Sequence, residues 1–284
     1  MTLMSAATDF LPFSLTRTIE DFPIANIALS AHQSRAIGAG GLSVNPHAWL
    51  VAAELSQMAA AGSTTLVAAT GEPLAWSGPA PDVANGFIAS LSFVIRHPWD
   101  LLRANEQFVA QLEADRIEGD VHPSAVIEGV LHLGQGTRIL PGVFIEGNVV
   151  IGANCKIGPN CYIRGHTSIG DNCHIGQSVE IKNCLILSKT NVGHLSYVGD
   201  SVLGEKVNFG AGTTTSNLRH DGKNHRSTVN GSLVDTGRRK FGTIVGDGVH
   251  TGINTSIYPG RKLWPATSTR PGEIVQRDLT TNNF

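Results

Sequence analysis

The chain has 284 residues, a formal net charge of −2, and only 15% charged residues. It therefore lacks the broad basic surface that binds nucleic acid or an anionic membrane, and we expect neither as a partner. The N-terminal sequence MTLMSAATDFLPF has no basic region followed by an apolar core, and no run of eighteen apolar residues occurs. These features indicate a soluble cytoplasmic protein.

Residues 1–115 show no six-residue repeat. The alanine-rich segment Ala48–Ala61 predicts a helix that ends at Gly62, followed by a strand over Thr64–Ala69. A second, amphipathic helix is predicted from Pro98 to about Arg116. The pattern favours a small α/β domain over residues 1–115, ahead of a second domain over residues 116–284.

Every sixth residue from Ile127 to Leu187 is aliphatic, with no polar exception. These positions are Ile127, Leu133, Ile139, Ile145, Ile151, Ile157, Ile163, Ile169, Ile175, Ile181 and Leu187. A period of six is neither that of a helix nor that of a single strand, but it is typical of the hexapeptide repeat of a parallel β-helix. Three hexapeptides close one triangular coil of eighteen residues. The fold class is therefore mainly β, with the β-helix predicted over residues 117–275.

Three of the four cysteines, Cys155, Cys161 and Cys173, share one inward-facing small position of the repeat, and only Cys184 lies off it. A free cysteine packs as a small hydrophobic residue. We therefore expect these thiols to be reduced and buried in the core rather than bound to metal or bridged.

The six-residue register is predicted to hold as far as Leu187, to slip by one residue before Val192, and to slip again before Leu203. Residues 213–243 lose the repeat and form a locally basic insertion. A solvated loop and an anion-binding loop both explain this composition. The repeat resumes at Val245, and the tail from Pro271 is polar.

Residues eighteen positions apart lie on the same face of adjacent coils, so Arg164 is predicted to stack on Lys182. Glu180 and Tyr197, seventeen apart across a register slip, should stack in the same way. Two stacked cations repel unless an anion lies near them, and phosphate sites are commonly built in this manner. A coincidence of exposed charges also remains possible from the spacing alone.

Two segments, Gly193–Asp200 and Val207–Thr213, together with Val179–Lys182, closely resemble the acetyltransferase domain of bifunctional glucosamine-1-phosphate acetyltransferase/N-acetylglucosamine-1-phosphate uridylyltransferases. The resemblance covers residues 155–217. It implies a left-handed winding of the β-helix, a homotrimer, acetyl-CoA as co-substrate, and an amino-sugar phosphate as acceptor.

The resemblance also implies roles for individual residues. His194 corresponds to the general base, and Glu180 to the carboxylate that orients it. Substrate-binding residues are Arg164, Lys182, Tyr197, Asn208, Asn217 and, through the archaeal-type branch of the family, Lys223; Ala211 corresponds to a backbone contact to the acetyl-CoA thioester. This chemistry suits an amino sugar, since a base must take a proton as the amine attacks the thioester.

The segments Leu15–Ile24 and His97–Asn105 resemble pieces of the nucleotidyltransferase domain fused to such acetyltransferases. That domain carries a Gly-rich loop with basic residues that hold nucleotide phosphates. The nearest candidate, Gly38–Gly41, lacks an adjacent Lys or Arg. We therefore expect residues 1–115 to be a truncated, nucleotidyltransferase-like domain that forms no nucleotide sugar.

The sequence thus predicts an enzyme, an acetyl-CoA-dependent N-acetyltransferase that acts on an amino-sugar 1-phosphate in nucleotide-sugar or cell-envelope precursor synthesis. One alternative is a nucleotidyltransferase-related protein, or a non-catalytic partner of a separate nucleotidyltransferase. Another is a metal-dependent hexapeptide lyase of the γ-carbonic-anhydrase type, but His166, His174 and His194 do not have that family's spacing. No metal site is predicted, and the identity of the amino sugar stays open.

Overall fold

The computed structural model describes residues 9–39 and 41–281 and divides them into two compact units. The smaller unit consists of residues 17–23 and 27–96. The larger unit contains residues 97–281 with residues 9–16 and 24–26. The division falls between Arg96 and His97, because the helix after His97 packs with the coils that follow it. The domain boundary near residue 115 stays a prediction. Gly40 of the candidate phosphate loop lies outside the described residues.

Before His97 the described residues form short strands, a 3₁₀ helix at Phe13–Leu15 and, after it, the α-helices α1 (Leu29–Ile37) and α2 (Ala52–Ala60). The strands are β1 (Pro23–Ile24), β2 (Ile27–Ala28), β3 (Ser43–Val44), β4 (Ala48–Trp49), β5 (Thr65–Val67), β6 (Pro73–Trp76), β7 (Phe87–Ile88) and β8 (Phe93–Val94). Four of them form a sheet in the order β3-β6-β5-β7, while β4 pairs with β8 and β1 with β2. Leu55, Met58, Leu66 and Leu74 form its core.

The predicted strand after residue 64 is confirmed as β5, but the helix predicted from Ala48 begins only at Ala52. Backbone pairing explains the difference: Trp49 pairs with Phe93, and the Val51 amide donates to Ser92 Oγ at 2.9 Å. Strand pairing therefore overrides the helix propensity of this alanine-rich segment.

Helix α3 (Asp100–Ala110) opens the larger unit and ends six residues before the predicted end at Arg116. Asp115 Oδ1 accepts a hydrogen bond from the Leu131 amide at 2.8 Å, and Arg116 already pairs with His132 in the first coil. These contacts take the chain out of the helix and into the β-helix.

The β-helix has three faces of parallel strands. The first face contains β9 (Arg116–Ile117), β12 (Leu131–Leu133), β15 (Val149–Ile151), β18 (Thr167–Ile169), β21 (Leu185–Ile186), β24 (Val202–Leu203), β29 (Thr243–Val245) and β31 (Arg261–Leu263). The second contains β10 (Asp120–Val121), β13 (Arg138–Ile139), β16 (Lys156–Ile157), β19 (His174–Gln177), β22 (Asn191–His194) and β25 (Asn208–Phe209). The third contains β11 (Val126–Glu128), β14 (Phe144–Glu146), β17 (Tyr162–Arg164), β20 (Glu180–Lys182), β23 (Tyr197–Gly199), β26 (Thr214–Thr215), β30 (Ser256–Ile257) and β32 (Ile274–Val275).

The predicted parallel β-helix and its eighteen-residue coil are confirmed. Ile145 pairs with Ile163, which in turn pairs with Ile181, so aliphatic side chains of successive coils stack in the interior. From Leu133 to Ile181 each repeat position is at most 2% exposed. Ile127, in the terminal coil, is only partly buried.

The first register slip lies before Ile186, earlier than the predicted position between Leu187 and Val192. Ile169 pairs with Ile186 rather than Leu187, so one residue is lost in the corner between Lys182 and Leu185. As a consequence Cys184 occupies the inward position that is equivalent to that of Thr167 in the preceding coil. Thr167 Oγ1 accepts a hydrogen bond from the Cys184 amide at 3.2 Å. The prediction that Cys184 lies off the inward position is therefore wrong. All four cysteines are free and buried.

The insertion lies between two residues that pair directly, Val202 and Ile244. It carries an antiparallel hairpin formed by β27 (Arg226–Val229) and β28 (Ser232–Asp235). After the insertion the coils resume as predicted, and β32 pairs with β30 at the predicted end of the β-helix. Leu279, beyond that end, still bridges to Leu263. No helix in the described parts of the chain is long and apolar enough to cross a bilayer.

Candidate active site

The third face of the β-helix carries the polar pairs predicted from the spacing. Arg164 on β17 pairs directly with Lys182 on β20, and Glu180 pairs with Tyr197 on β23. The directions of the side chains follow from the alternation within each strand. The central residue, such as Ile181, points into the core, so its two neighbours point outward. The predicted stacking is confirmed.

Each of the two stacked cations has a carboxylate partner within the same chain. Glu180 Oε1 accepts from Arg164 Nε at 2.9 Å and Nη2 at 2.7 Å. Both oxygens of Asp200 accept from Lys182 Nζ, at 2.9 and 2.7 Å. The anions that the stacked cations require are therefore supplied by the protein itself, and the Arg164 guanidinium has its pKa raised chiefly by the Glu180 hydrogen bond.

The two ion pairs differ in burial. The Arg164 and Glu180 side chains are 35% and 33% exposed, whereas those of Lys182 and Asp200 are 14% and 3% exposed. An exposed ion pair is weak and can exchange partners with a ligand, whereas a buried pair is costly to separate. Arg164 is thus the more accessible cation, and Lys182 the more firmly held one.

Asp200 is the centre of a cluster of polar side chains, formed with Lys182, Asn183, Asn217 and Tyr197, that we call the Asp200 cluster. No role was predicted for Asp200 from the sequence. Besides Lys182, its carboxylate accepts from Asn217 Nδ2 at 2.6 Å and from Asn183 Nδ2 at 3.1 Å. Asn217 also donates to the Tyr197 hydroxyl at 3.0 Å. Burial, with a contribution from the Asp200 charge, raises the pKa of that hydroxyl. The sequence feature that could have identified Asp200 is its position beside a predicted register slip, where several polar residues lie close together.

His194 ends strand β22 on the second face, where it pairs with Gln177 and is exposed. Glu180 lies on the third face and is hydrogen-bonded to Arg164 instead. Within the part of the chain that the structure describes, no hydrogen bond joins the imidazole to this carboxylate. The expected His194–Glu180 contact is therefore not made within one chain, because the corner at Leu195–Ser196 separates the two faces.

The remaining predicted residues lie in three places. Asn208, on β25, pairs with Asn191 on the second face, and Ala211 lies in the turn beyond it, next to Gly212, whose amide donates to the His194 carbonyl oxygen at 3.2 Å. Asn217 belongs to the Asp200 cluster. Lys223 lies farther along the insertion, in an open groove of about 580 Å³ that it lines with Arg219, Gly222, Asn224, Arg226 and Asp235.

A second groove, of about 560 Å³, lies between the start of the insertion and β30. It is lined by Ser216, Leu218, Arg219, His220, Asp221, Tyr258 and Pro259. Arg219 forms an exposed bidentate pair with Asp221, which holds the pKa of that carboxyl well below its usual range. Within the described residues, no group of three or more His, Cys, Asp or Glu side chains is placed to hold a metal.

Comparison with known proteins finds similarity in the part of the chain that contains this site. The family model described as the GMPPB C-terminal domain matches residues 145–261. A bifunctional sugar-1-phosphate nucleotidylyltransferase/acetyltransferase of Sulfurisphaera tokodaii is 40% identical over 190 residues, which are 67% of this chain and 47% of that protein. The chain is a relative of the GlmU-type bifunctional proteins.

A second GlmU-type relative, the bifunctional protein GlmU of Methanococcus maripaludis strain C7, is 48% identical over 190 residues, 67% of this chain and 46% of its own length. The chain thus spans about half the length of the curated relatives it matches. Among solved structures, AntD, an N-acyltransferase from Bacillus cereus, is 13% identical and covers 59% of this chain and 75% of its own, with a TM-score of 0.26. That value is too low to bear on the chemistry of this chain.

Proposed function

We propose that the chain is an acetyl-CoA-dependent N-acetyltransferase whose acceptor is an amino-sugar 1-phosphate, acting in nucleotide-sugar or cell-envelope precursor synthesis. The observation that carries the proposal is the stacking of Arg164 on Lys182 and of Glu180 on Tyr197, on one face of a hexapeptide β-helix that is related to GlmU-type proteins. Acetyltransferase is part of the name of the Sulfurisphaera relative.

His194 acts as the general base. An amino sugar near neutral pH is mostly an ammonium ion, so a group with a pKa near the working pH must accept a proton as the nitrogen attacks the thioester carbonyl. The imidazole is exposed at the end of β22, where an acceptor can reach it. Direct attack of the amine on the thioester forms the C–N bond and breaks the C–S bond, and the proton taken by His194 passes to the departing CoA thiolate. This acetyl transfer needs no protein nucleophile, which agrees with four cysteines that are all buried.

Arg164 contacts the acceptor phosphate. Its guanidinium presents a planar fork of donors that suits phosphate, and its ion pair with Glu180 is exposed enough to rearrange when a dianion arrives. Release from Arg164 frees Glu180 to assist His194. Lys182, held by Asp200, supplies a fixed positive charge beside the same phosphate, and Tyr197 and Asn217 complete the acceptor pocket together with Asn208.

The acetyl-CoA thioester is placed near Ala211, where a backbone N–H stabilises the developing oxyanion. The His194 and Glu180 side chains lie on different faces of one chain, so a neighbouring copy that covers both faces would complete the site. This supports the expected homotrimer. The smaller N-terminal unit keeps its assignment as a truncated nucleotidyltransferase-like domain without transfer activity, and Lys223 is the cation of the insertion that serves the acceptor.

The direct test is acetyl transfer by the purified full-length chain. Acetyl-CoA consumption should depend on an amino-sugar 1-phosphate, with glucosamine and galactosamine 1-phosphates compared against the unphosphorylated sugars. Activity with the phosphorylated sugars and little with the free sugars supports the proposal. Acetyl transfer to none of these acceptors would refute it.

A further inference from the structure

Helix α3 contributes a carboxylate that extends to the Asp200 cluster. Glu106 Oε1 accepts a hydrogen bond from Asn183 Nδ2 at 2.6 Å. The same carboxylate pairs with Arg238, which comes from the insertion; Arg238 Nη1 lies 3.3 Å from Glu106 Oε2, and Nη2 contacts Oε1. The Arg238 and Glu106 side chains are only 18% and 27% exposed. One acidic side chain therefore links a helix, a corner of the β-helix, and the insertion.

The Asn183 amide continues this connection towards the stacked cations. Its Nδ2 group has two hydrogens, and it donates to Glu106 at 2.6 Å and to Asp200 Oδ1 at 3.1 Å. Ionised carboxylates only accept hydrogen bonds, so the amide has one orientation that satisfies both partners. Asp200 in turn binds Lys182 Nζ through both oxygens. The position of Lys182 thus depends on contacts that begin at Glu106.

The charges along this path also balance. Two carboxylates, Glu106 and Asp200, face the same Asn183 amide, and each has one cation, Arg238 and Lys182 respectively. Removing Glu106 would leave the Arg238 charge largely buried without its anion, and would free the Asn183 amide to turn. Hydrogen-bonded networks of this kind restrict the arrangement of their side chains. Within the described residues Arg238 Nε has no hydrogen-bond partner, so Arg238 is held through its two Nη atoms.

We propose that Glu106 is a positioning residue for the acceptor site: together with Arg238 it fixes the Asn183 amide, which orients Asp200 and thereby Lys182 towards the phosphate of the acceptor. The proposal rests on the acetyltransferase function proposed above. It makes helix α3 and the insertion parts of the acceptor site, although neither belongs to the hexapeptide repeat.

Steady-state kinetics of the full-length chain test the proposal. Glu106→Ala should raise KM for the amino-sugar 1-phosphate roughly tenfold, as expected for a lost hydrogen bond to a charged group, with KM for acetyl-CoA within about twofold of wild type. Glu106→Gln keeps an oxygen acceptor for Asn183 and should recover part of the loss. Glu113→Ala, at an exposed acidic residue just after the helix, is the matched control and should change neither constant.

A double-mutant cycle separates positioning from simple folding. If Glu106 acts through Asn183, the variant with both Glu106→Ala and Asn183→Ala should have the same acceptor KM as Asn183→Ala alone. Additive effects, an unchanged acceptor KM in Glu106→Ala, or equal increases in both KM values would each overturn the proposal while the wild type still transfers acetyl groups. A wild type without acetyl transfer would reject the proposed function, and this inference with it. Thermal unfolding of each variant verifies that the folded protein is compared.

Discussion

The Arg164–Glu180 and Lys182–Asp200 pairs lie one coil apart on the same face, but they experience different surroundings. Side-chain exposure is about one third for the first pair, and 14% and 3% for the second. Removing one partner of a buried pair leaves an uncompensated charge, which costs roughly 3–5 kcal/mol, whereas exposed pairs contribute about 0–1 kcal/mol. The pairs should therefore respond differently to truncation.

We expect Lys182→Ala to lower the free energy of unfolding by several kcal/mol and Arg164→Ala to lower it by about 1 kcal/mol or less. Urea unfolding of the two variants measures the difference. Adding Asp200→Ala to Lys182→Ala should restore part of the loss, because it removes the stranded carboxylate. Equal losses in both single variants would contradict the assigned burial. The contrast also means that KM effects of Lys182→Ala must be measured on folded protein.

Asp200 and Glu106 are residues of the candidate site that were not predicted from the sequence. Arg164, Lys182, Glu180 and Tyr197 could be placed on one face from spacing, because the coil length converts sequence distance into position. Asp200 lies one coil length, eighteen residues, after Lys182, but the register slip pairs Lys182 with Gly199 and leaves Asp200 in the corner that follows. Glu106 lies in a helix outside the repeat, so no periodicity relates it to the site. Their contacts depend on how separate elements pack, which the sequence pattern does not encode.

At the scale of single elements, backbone spacing between coils limits the residues that fit. Gly176 on β19 lies against the backbone of Gly193 on the next coil, and a Cβ at Gly176 would overlap the Gly193 carbonyl oxygen. A Cβ at Gly193 would meet no atom within 4 Å. Gly176→Ala should therefore destabilise the protein by about 1–3 kcal/mol, as overpacking does. Gly193→Ala is the matched control and should melt near the wild-type temperature; if both variants melt alike, the coil spacing is wrong.

The core thiols provide a second element-scale prediction. Burial raises the pKa of Cys161 and of Cys184 to about 12, well above the usual range of a thiol. Their neutral forms are favoured in the fold, so this contribution to stability is complete below pH 9 and is lost as the pH rises towards 12. At pH 8 a thiol-disulfide reagent should label none of the four cysteines in the native protein and all four in denaturant. Rapid labelling of the native protein would contradict their burial.

The position of the register slip shows what a pattern can and cannot locate. Counting by six found every coil up to Ile181, since the aliphatic repeat directly reports which side chains enter the core. At the corner after Lys182, Ile186 and Leu187 are both aliphatic and both buried, so the sequence is compatible with either register. Hydrogen bonding with the preceding coil decides it: Ser168 pairs with Leu185, and Ile169 with Ile186.

At the scale of the whole molecule, the resemblance implies a homotrimer, and the separation of His194 and Glu180 onto two faces supports a site shared between chains. Sedimentation velocity at micromolar concentration should give three times the mass of one chain. A second consequence can be measured by mixing two variants: His194→Ala chains and Arg164→Ala chains, each impaired alone, should regain partial activity together if each site uses residues of two chains. A monomer at micromolar concentration would contradict the trimer.

Residues 1–115 should form no nucleotide sugar. The nearest candidate for a phosphate-binding Gly-rich loop in their sequence, Gly38–Gly41, has no adjacent Lys or Arg. Pyrophosphate release from UTP or dTTP with a sugar 1-phosphate should stay at the level of a blank without enzyme. Release above that level, dependent on both substrates, would show that the unit is active.

The most direct test of the central claim is the turnover of His194→Ala. As general base, His194 should contribute roughly 10²–10⁴-fold to kcat, with a much smaller effect on acetyl-CoA affinity. His122→Ala, an exposed histidine on the second face several coils away, is the matched control and should keep the wild-type rate. The account predicts a folded His194→Ala protein that binds acetyl-CoA and acetylates amino-sugar 1-phosphate at least a hundredfold more slowly than wild type; turnover near the wild-type rate would contradict it.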